Sequence, residues 1–295
     1  MVPLPQPVES VMICPACTLE LWSGSMRNAL TRAVCRGLAS LLLTVCLTCQ
    51  VALAADLTAR EVTQQFFKSK AGAPVDFSGK DLSNLDLAGL DFKHAILKRA
   101  NLFGADLSAA NLSGADLAGA RLDRATLIGA DFSGANMEGA IILKPSVFSS
   151  MKFDYADAPK FVGTNLRAVR IAARMDGTDF RGADMSRASI GPFDTSMEAG
   201  AAPSSLMMGA DFSGANLSGA EIRNVNLTFG RFVTTDLRGA KLLNLDLSRA
   251  DFSGANLTGA EITGSNFDGA NLTGAKGLET LVGVATAKNF ARPTP

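Results

Sequence analysis

Reactive side chains are scarce in this sequence. Histidine occurs once, at His94, and tryptophan and tyrosine occur once each in 295 residues. All five cysteines lie before residue 50, at Cys14, Cys17, Cys35, Cys46 and Cys49. Beyond that point the chain has no thiol to act as nucleophile or metal ligand, and no second histidine to build an acid–base pair. Neither sign of charge is in excess, with 28 basic and 28 acidic residues, or 25 basic and 26 acidic from Asp56 onward. That balance argues against a nucleic-acid binder and against a polyanion mimic. There is one long apolar run, Gly37 to Ala54, and none in the body of the chain.

What fills the chain instead is a five-residue beat, clearest in ADFSG ANLTG AEITG SNFDG ANLTG from Ala250 to Gly274. Each unit has a small residue, then Asp or Asn, then Leu or Phe, then Ser or Thr, then often Gly. The large apolar residue, taken as the centre, recurs from Phe77 through Leu82 and Leu87 to Ile142, and again from Phe212 through Leu217 to Leu272. A period of five matches neither the helical 3.6 nor the strand 2.0 and points to a solenoid.

The charges indicate how many units make one coil. In a stacked β-coil, equivalent residues of successive turns lie about 4.8 Å apart, where like charges repel. The residue before each centre reads Asp211, Asn216, Glu221, Asn226, Arg231, Asp236, Lys241, Asp246, Asp251, Asn256, Glu261, Asn266 and Asn271. Four units per coil gives Asp211/Arg231/Asp251 and Glu221/Lys241/Glu261, with no like charges in contact. Three or five units per coil would set acids over acids. In the first tract Asp86 over Asp106 is the exception. Four units per coil also stacks Phe212, Phe232 and Phe252 in one interior column. Alanine two positions before most centres then fills the narrow corner of the core.

On these motifs the chain resembles the pentapeptide-repeat family, whose unit is A(D/N)LXX. The resemblance implies an all-β solenoid, a right-handed quadrilateral β-helix of four pentapeptides per coil, here with short helical caps. It implies little about activity, because fold does not dictate function. Two functional classes follow. One is an exported, non-catalytic scaffold for protein or cell-envelope interactions. The other is a DNA mimic that binds gyrase, an activity of the resembled family that needs a cytoplasmic location and an acidic face.

Export is expected from the N-terminus. Arg27, Arg32 and Arg36 precede the apolar run, and Ala52-Leu53-Ala54 supplies small residues for cleavage, so residues 26–55 read as a signal peptide. Residues 1–25 fit no targeting pattern and read as an over-extended start before Met26. The product is then periplasmic or secreted. An uncleaved anchor is the alternative, since the run approaches the roughly 18 residues that span a bilayer. Cys14/Cys17 and Cys46/Cys49 have metal-site spacing but precede the expected cut, so no metal or cofactor is expected.

Residues 56–74 read as a capping segment. A helix from Leu57 to Lys70 is expected, with a capping box of Thr58 and Glu61 and an apolar stripe of Val62, Phe66 and Phe67. Residues 75–142 form the first array, 143–209 an irregular region, 210–275 the second array and 276–295 a C-terminal cap and tail. An end cap is also a surface through which a homodimer would form. The irregular region is interrupted at Lys144-Pro145 and at GPFDTSMEAGAAPSSLMMG, Gly191 to Gly209, which should loop outward. Insertions often carry binding in solenoids, which makes Met197, Met207 and Met208 candidate contacts. Lys144 to Arg187 holds eight basic residues against five acids, and Arg167, Arg170 and Arg174 complete the candidate interaction set for an anionic surface such as phospholipid or polysaccharide. His94 ends a unit and is expected to face solvent, without a partner for catalysis.

Overall fold

The computed structural model describes residues 55–69, 73–149, 155–192 and 205–291. The chain divides into two compact units, 1–53 and 54–295, and every described residue belongs to the second. The expected signal segment as far as Ala54, both CxxC pairs and Met197 fall outside the described residues.

The five-residue unit makes one side of a parallel β-coil. Its Asp or Asn sits in the strand-like segment and turns its Oδ1 onto the backbone N–H two residues ahead, as in Asp131 to Ser133, Asp211 to Ser213 and Asn216 to Ser218. This side-chain acceptor satisfies a donor at the corner, which explains why these two residue types predominate there. The last position of the regular units takes a positive φ, between 51° and 71°. Glycine is therefore the usual occupant, since other residues adopt that backbone at a cost.

Register follows from the backbone bridges. Asp76 pairs with Ile96, Asp81 with Asn101, Asp86 with Asp106 and Asp91 with Asn111, all parallel and twenty residues apart. Twenty residues hold four units, so each turn takes four units, which we call sides one to four from Asp76, Asp81, Asp86 and Asp91. Longer strands are confined to sides two and three. Side two carries a five-stranded sheet of β1 (Ile141–Leu143), β2 (Arg170–Ala172), β3 (Ser189–Ile190), β5 (Glu221–Arg223) and β7 (Lys241–Leu243). Side three carries β4 (Ser205–Leu206) and β6 (Val225–Asn226).

The core is the set of unit centres. On side four, Phe132, Phe161, Phe180, Phe212, Phe232 and Phe252 form one stack, with neighbouring ring centroids 4.7–5.2 Å apart and planes within 10°. The expected column of three aromatic rings is thus six rings long. The alanines two positions earlier, such as Ala110, Ala130, Ala210 and Ala250, are buried at the corners.

Both interruptions are insertions into a coil that resumes in register. Thr126 pairs with Ser146 at the regular step of twenty, whereas Asp131 pairs with Lys160, twenty-nine residues on. Nine residues are therefore added between sides three and four. Lys160 then pairs with Asp179, nineteen residues on, because the unit between Ile171 and Met175 is one residue short. Asp179 pairs with Asp211, thirty-two residues on, so twelve residues are added between sides two and three. The irregular region is thus coil apart from these two insertions.

Each insertion leaves a mark in the core. Where a hydroxyl replaces the corner alanine it donates to the carbonyl of a centre one coil earlier, as Thr164 does to Phe132, Thr235 to Phe212 and Ser265 to Leu242. Thr178 and Ser205 are fully buried at the same position, yet their hydroxyls have no partner among the described residues. Thr178 follows the side where the first insertion displaces the chain. The equivalent acceptor for Ser205 is Ile171, whose carbonyl takes the Gly191 N–H where the chain leaves for the second insertion.

Both ends are closed. Helix α1 (Ala59–Lys68) has Thr58 at its N-cap, with Thr58 and Glu61 in a reciprocal capping box. Phe66 lies against Phe77 and Phe92, at 5.6 Å and 5.2 Å between centroids, and covers the first coil. Phe67 departs from the expected stripe: it is 85% exposed. Val62 and Phe66 are one turn apart and share a face, whereas Phe67 is rotated about 100° from Phe66 and faces away. At the other end, short 3-10 turns at Leu278–Thr280 and Val284–Thr286 lay Phe290 edge-on to Phe267, at 5.3 Å.

Candidate interaction surface

Side three lies between the two insertions and is the most specialised part of the coil. The first insertion leaves it after Phe148, and the second returns to it at Ser205. Between them Arg174 projects its guanidinium over the Phe148 ring, 6.0 Å from the centroid, while its Nε donates to Asp176 Oδ2 at 2.8 Å. The other Asp176 oxygen accepts the Met208 N–H at 2.8 Å. Asp176 is only 4% exposed, so two charge-assisted bonds hold the carboxylate and tie the two ends of this interval together.

The sequence-expected residues separate on this frame. Arg174 and Met208 meet on side three through Asp176. Met207 is a core residue with no exposed surface, stacked in the coil as its N–H pairs with the Asn226 carbonyl. This corrects its assignment as a contact: the second insertion ends before Ser205, so Ser205 to Gly209 already form a regular unit. Arg170 is exposed in β2 on side two, paired in register with Ile141 and Ser189. Arg167 is on side one, 3.9 Å from Glu138. The basic band is likewise not one patch. Lys160 and Arg181 are on side four, Arg187 on side one, and Arg181 is bound to Asp179 at 2.6 Å. That bond raises the already high affinity of Arg181 for its proton. His94 is exposed, at a positive-φ corner above Gly114.

A cluster that sequence reading passed over lies where side two turns into side three. Arg124 and Lys144 occupy equivalent corner positions in successive coils, at φ 59° and 51°, and the Arg124 N–H bonds to the Leu143 carbonyl. Arg124 sits over the Phe103 ring at 5.9 Å. Next to them Asp123, 8% exposed, accepts from Arg121 Nη2 at 3.0 Å. The available signal was the twenty-residue step itself, which places Arg124 beside Lys144 once corner positions are aligned as well as the Asp/Asn positions.

Among the described residues no three metal-ligating side chains come together, and no helix is long and apolar enough to cross a membrane. What this surface presents is guanidinium, aromatic and carboxylate groups held by one another.

The family model for Pentapeptide repeats matches eight copies, over residues 75–104, 105–142, 205–242 and 235–274. The chain belongs to the pentapeptide-repeat family. The region between its matched tracts holds the first insertion, the shortened unit and most of the second insertion. Among solved structures it is similar to HetL, a pentapeptide repeat protein involved in heterocyst differentiation regulation from Nostoc sp. strain PCC 7120. Identity is 26% over 77% of this chain and 94% of that chain, with a TM-score of 0.40. It is also similar to the pentapeptide repeat protein Rfr23 from Cyanothece 51142, at 22% identity over 42% and 90%, TM-score 0.36. A pentapeptide repeat protein from the Arabidopsis thaliana thylakoid lumen aligns at 32% identity over 43% and 73%, TM-score 0.21. No functionally curated protein matches. Pentapeptide-repeat proteins are generally non-catalytic scaffolds.

Proposed function

We propose that this pentapeptide-repeat protein is an exported, non-catalytic scaffold, a right-handed quadrilateral coil that presents side three and its flanking insertions to a protein or envelope partner. The observation that carries this reading is the Phe148, Arg174, Asp176 and Met208 arrangement. A surface arginine is stacked and bonded in place where the repeat has been interrupted twice, while the coil on either side keeps its register. A rigid solenoid holds such groups at fixed spacing, which lowers the entropy cost of recognition. The export half of the proposal rests on the arginine-flanked apolar segment ending at Ala54. The DNA-mimic alternative is the weaker reading, because the sides next to the insertions carry arginines and lysine and the aspartates are engaged with backbone donors.

Fractionation of expressing cells, with intact mass and N-terminal peptide analysis, tests the proposal. A product beginning at Ala55 or Asp56 in the periplasm or medium is expected. A cytoplasmic product that retains its cysteines would overturn it and return the gyrase reading to first place.

A further inference from the structure

Charge is balanced along most of this coil but not on sides two and three of its middle. Three consecutive coils contribute residues 120–129, 140–149 and 169–177 to these two sides. They contain Arg121, Arg124, Lys144, Arg170 and Arg174 against the acids Asp123 and Asp176. Those two acids are 8% and 4% exposed and are each covered by an arginine, so the outer surface is cationic. Most other columns alternate, as in Asp211, Arg231 and Asp251 or Glu221, Lys241 and Glu261, with Asp86 over Asp106 and Asp179 over Asp211 as the acidic exceptions. Here Arg124 and Lys144 stand in adjacent coils, about 4.8 Å apart along the backbone, where like charges destabilise. Neither makes an ion pair among the described residues. Both also occupy the positive-φ corner at which glycine would be less strained. Non-glycine residues take this corner elsewhere too, as at Arg99, Arg187 and Arg249; what sets this edge apart is that two cations do so in adjacent coils, so that both local costs coincide there.

The ground beside this edge is apolar. Ile141, Leu143 and Ala172 face outward from β1 and β2 and are half-buried, and Phe103 lies beneath Arg124. Outward Ile128 and Phe148 continue the apolar ground onto side three. A guanidinium held over a ring keeps its edge donors directed outward and suits a planar carboxylate.

We infer that the edge between sides two and three binds an acidic polypeptide segment, with Arg124 and Lys144 as its principal carboxylate contacts and the outer surface of β1 and β2 taking its apolar side chains. In an extended segment, residues two apart are about 7 Å apart on one face, within reach of two long cationic side chains in neighbouring coils. A phosphodiester or lipid-headgroup partner would use the cations but not the apolar ground, and duplex DNA would call for more phosphate contacts than this edge supplies. The inference rests on the scaffold reading and names its partner chemistry.

The glycine preference of the corner makes the test clean. Arg124→Gly and Lys144→Gly remove the cations while relieving the backbone, and the melting temperature separates a loss of binding from a loss of fold. The protein as recovered from expressing cells is titrated against a fluorescent peptide of about twelve residues alternating Glu with Leu, an extended design, and followed by anisotropy. Phosphatidylglycerol vesicles and a DNA duplex are tested in parallel. Saturable peptide binding that falls about tenfold or more in the double variant is expected, with a melting temperature equal to or above that of the parent. Arg249→Gly, which removes a ring-stacked arginine from the opposite edge of side three, should leave binding intact. No peptide binding, equal binding by the double variant, an equal loss with Arg249→Gly, or preference for vesicles or DNA would each overturn the inference. The outcome is independent of localisation: an exported protein that ignores the peptide loses only the acidic partner, and a cytoplasmic one that binds it loses only export.

Discussion

At the scale of single residues the repeat is a set of solutions to corner chemistry. Asp and Asn recur because their Oδ1 closes the turn, and an inter-coil ladder adds to this where an Asn amide donates to the Asp of the preceding coil. Asn101 to Asp81, Asn136 to Asp116 and Asn271 to Asp251 are examples. Glycine recurs for two separable reasons. Gly134 has open space where a Cβ would be, so only its φ of 65° opposes alanine. At Gly114 a Cβ would also fall 2.5 Å from the His94 ring. Gly134→Ala should therefore cost about 1 kcal/mol, and Gly114→Ala should cost more unless His94→Gly accompanies it; urea midpoints of the three variants check this. The aspartates also set a pH dependence. The Ser83 and Ser253 hydroxyls, ahead of their backbone N–H groups, hold the Asp81 and Asp251 carboxyls below the usual range. A lowered native pKa gives stability that is full above the unfolded value, about 3.9, and is lost as pH falls through the native one. Urea midpoints should therefore be flat from neutral pH down to about pH 5 and fall below about pH 4. Asp251→Asn should keep the turn acceptor, whereas Asp251→Ala should lose about 1 kcal/mol. The alternation of charge was legible in the sequence. The turn bond was not, because the same two residue types satisfy both accounts.

Elements here are sides, caps and insertions, and they differ in how openly the sequence announces them. The capping box Thr58/Glu61 is a local pattern, and it can be read without knowing the fold. Phe66 and Phe67 are adjacent and alike in composition, so only the packing of the helix on Phe77 and Phe92 separates them. Phe66→Ala should destabilise by about 3 kcal/mol or more, and Phe67→Ser should leave the melting temperature nearly unchanged; thermal unfolding followed by circular dichroism distinguishes them. The burial of Met207 was hidden for a different reason. The point at which an insertion ends depends on where the next coil finds its register, and that is a long-range property. Its consequence can be tested by deletion. Removing residues 193–204 restores the twenty-residue step between Asp179 and its neighbour on side four, so the shortened chain should fold with a melting temperature within a few degrees of the parent, since loop length is a minor thermodynamic term. The orphan hydroxyls of Thr178 and Ser205 are what remains of the broken pattern. Neither was visible before the coil was traced.

On the scale of the whole molecule, one coil runs from Val75 to Phe290 and carries its register through two insertions and a shortened unit. The family match leaves residues 143–204 unassigned, while the bridges and the six-ring phenylalanine stack run through that gap without a break. The side-three surface depends on that continuity, since it alone brings Arg174 and Met208 together, whereas Arg124 meets Lys144 at the regular step of twenty. A cysteine pair tests it most directly, because no described residue is a cysteine and adjacent strands lie within disulfide reach. In the variant Asp179→Cys with Asp211→Cys, thirty-two residues apart, rapid formation of a disulfide by mass spectrometry is the predicted result. Asp179→Cys paired with Ala199→Cys, at the unbroken twenty-residue step, should form none. Cross-linking of the second pair and not the first would contradict the account.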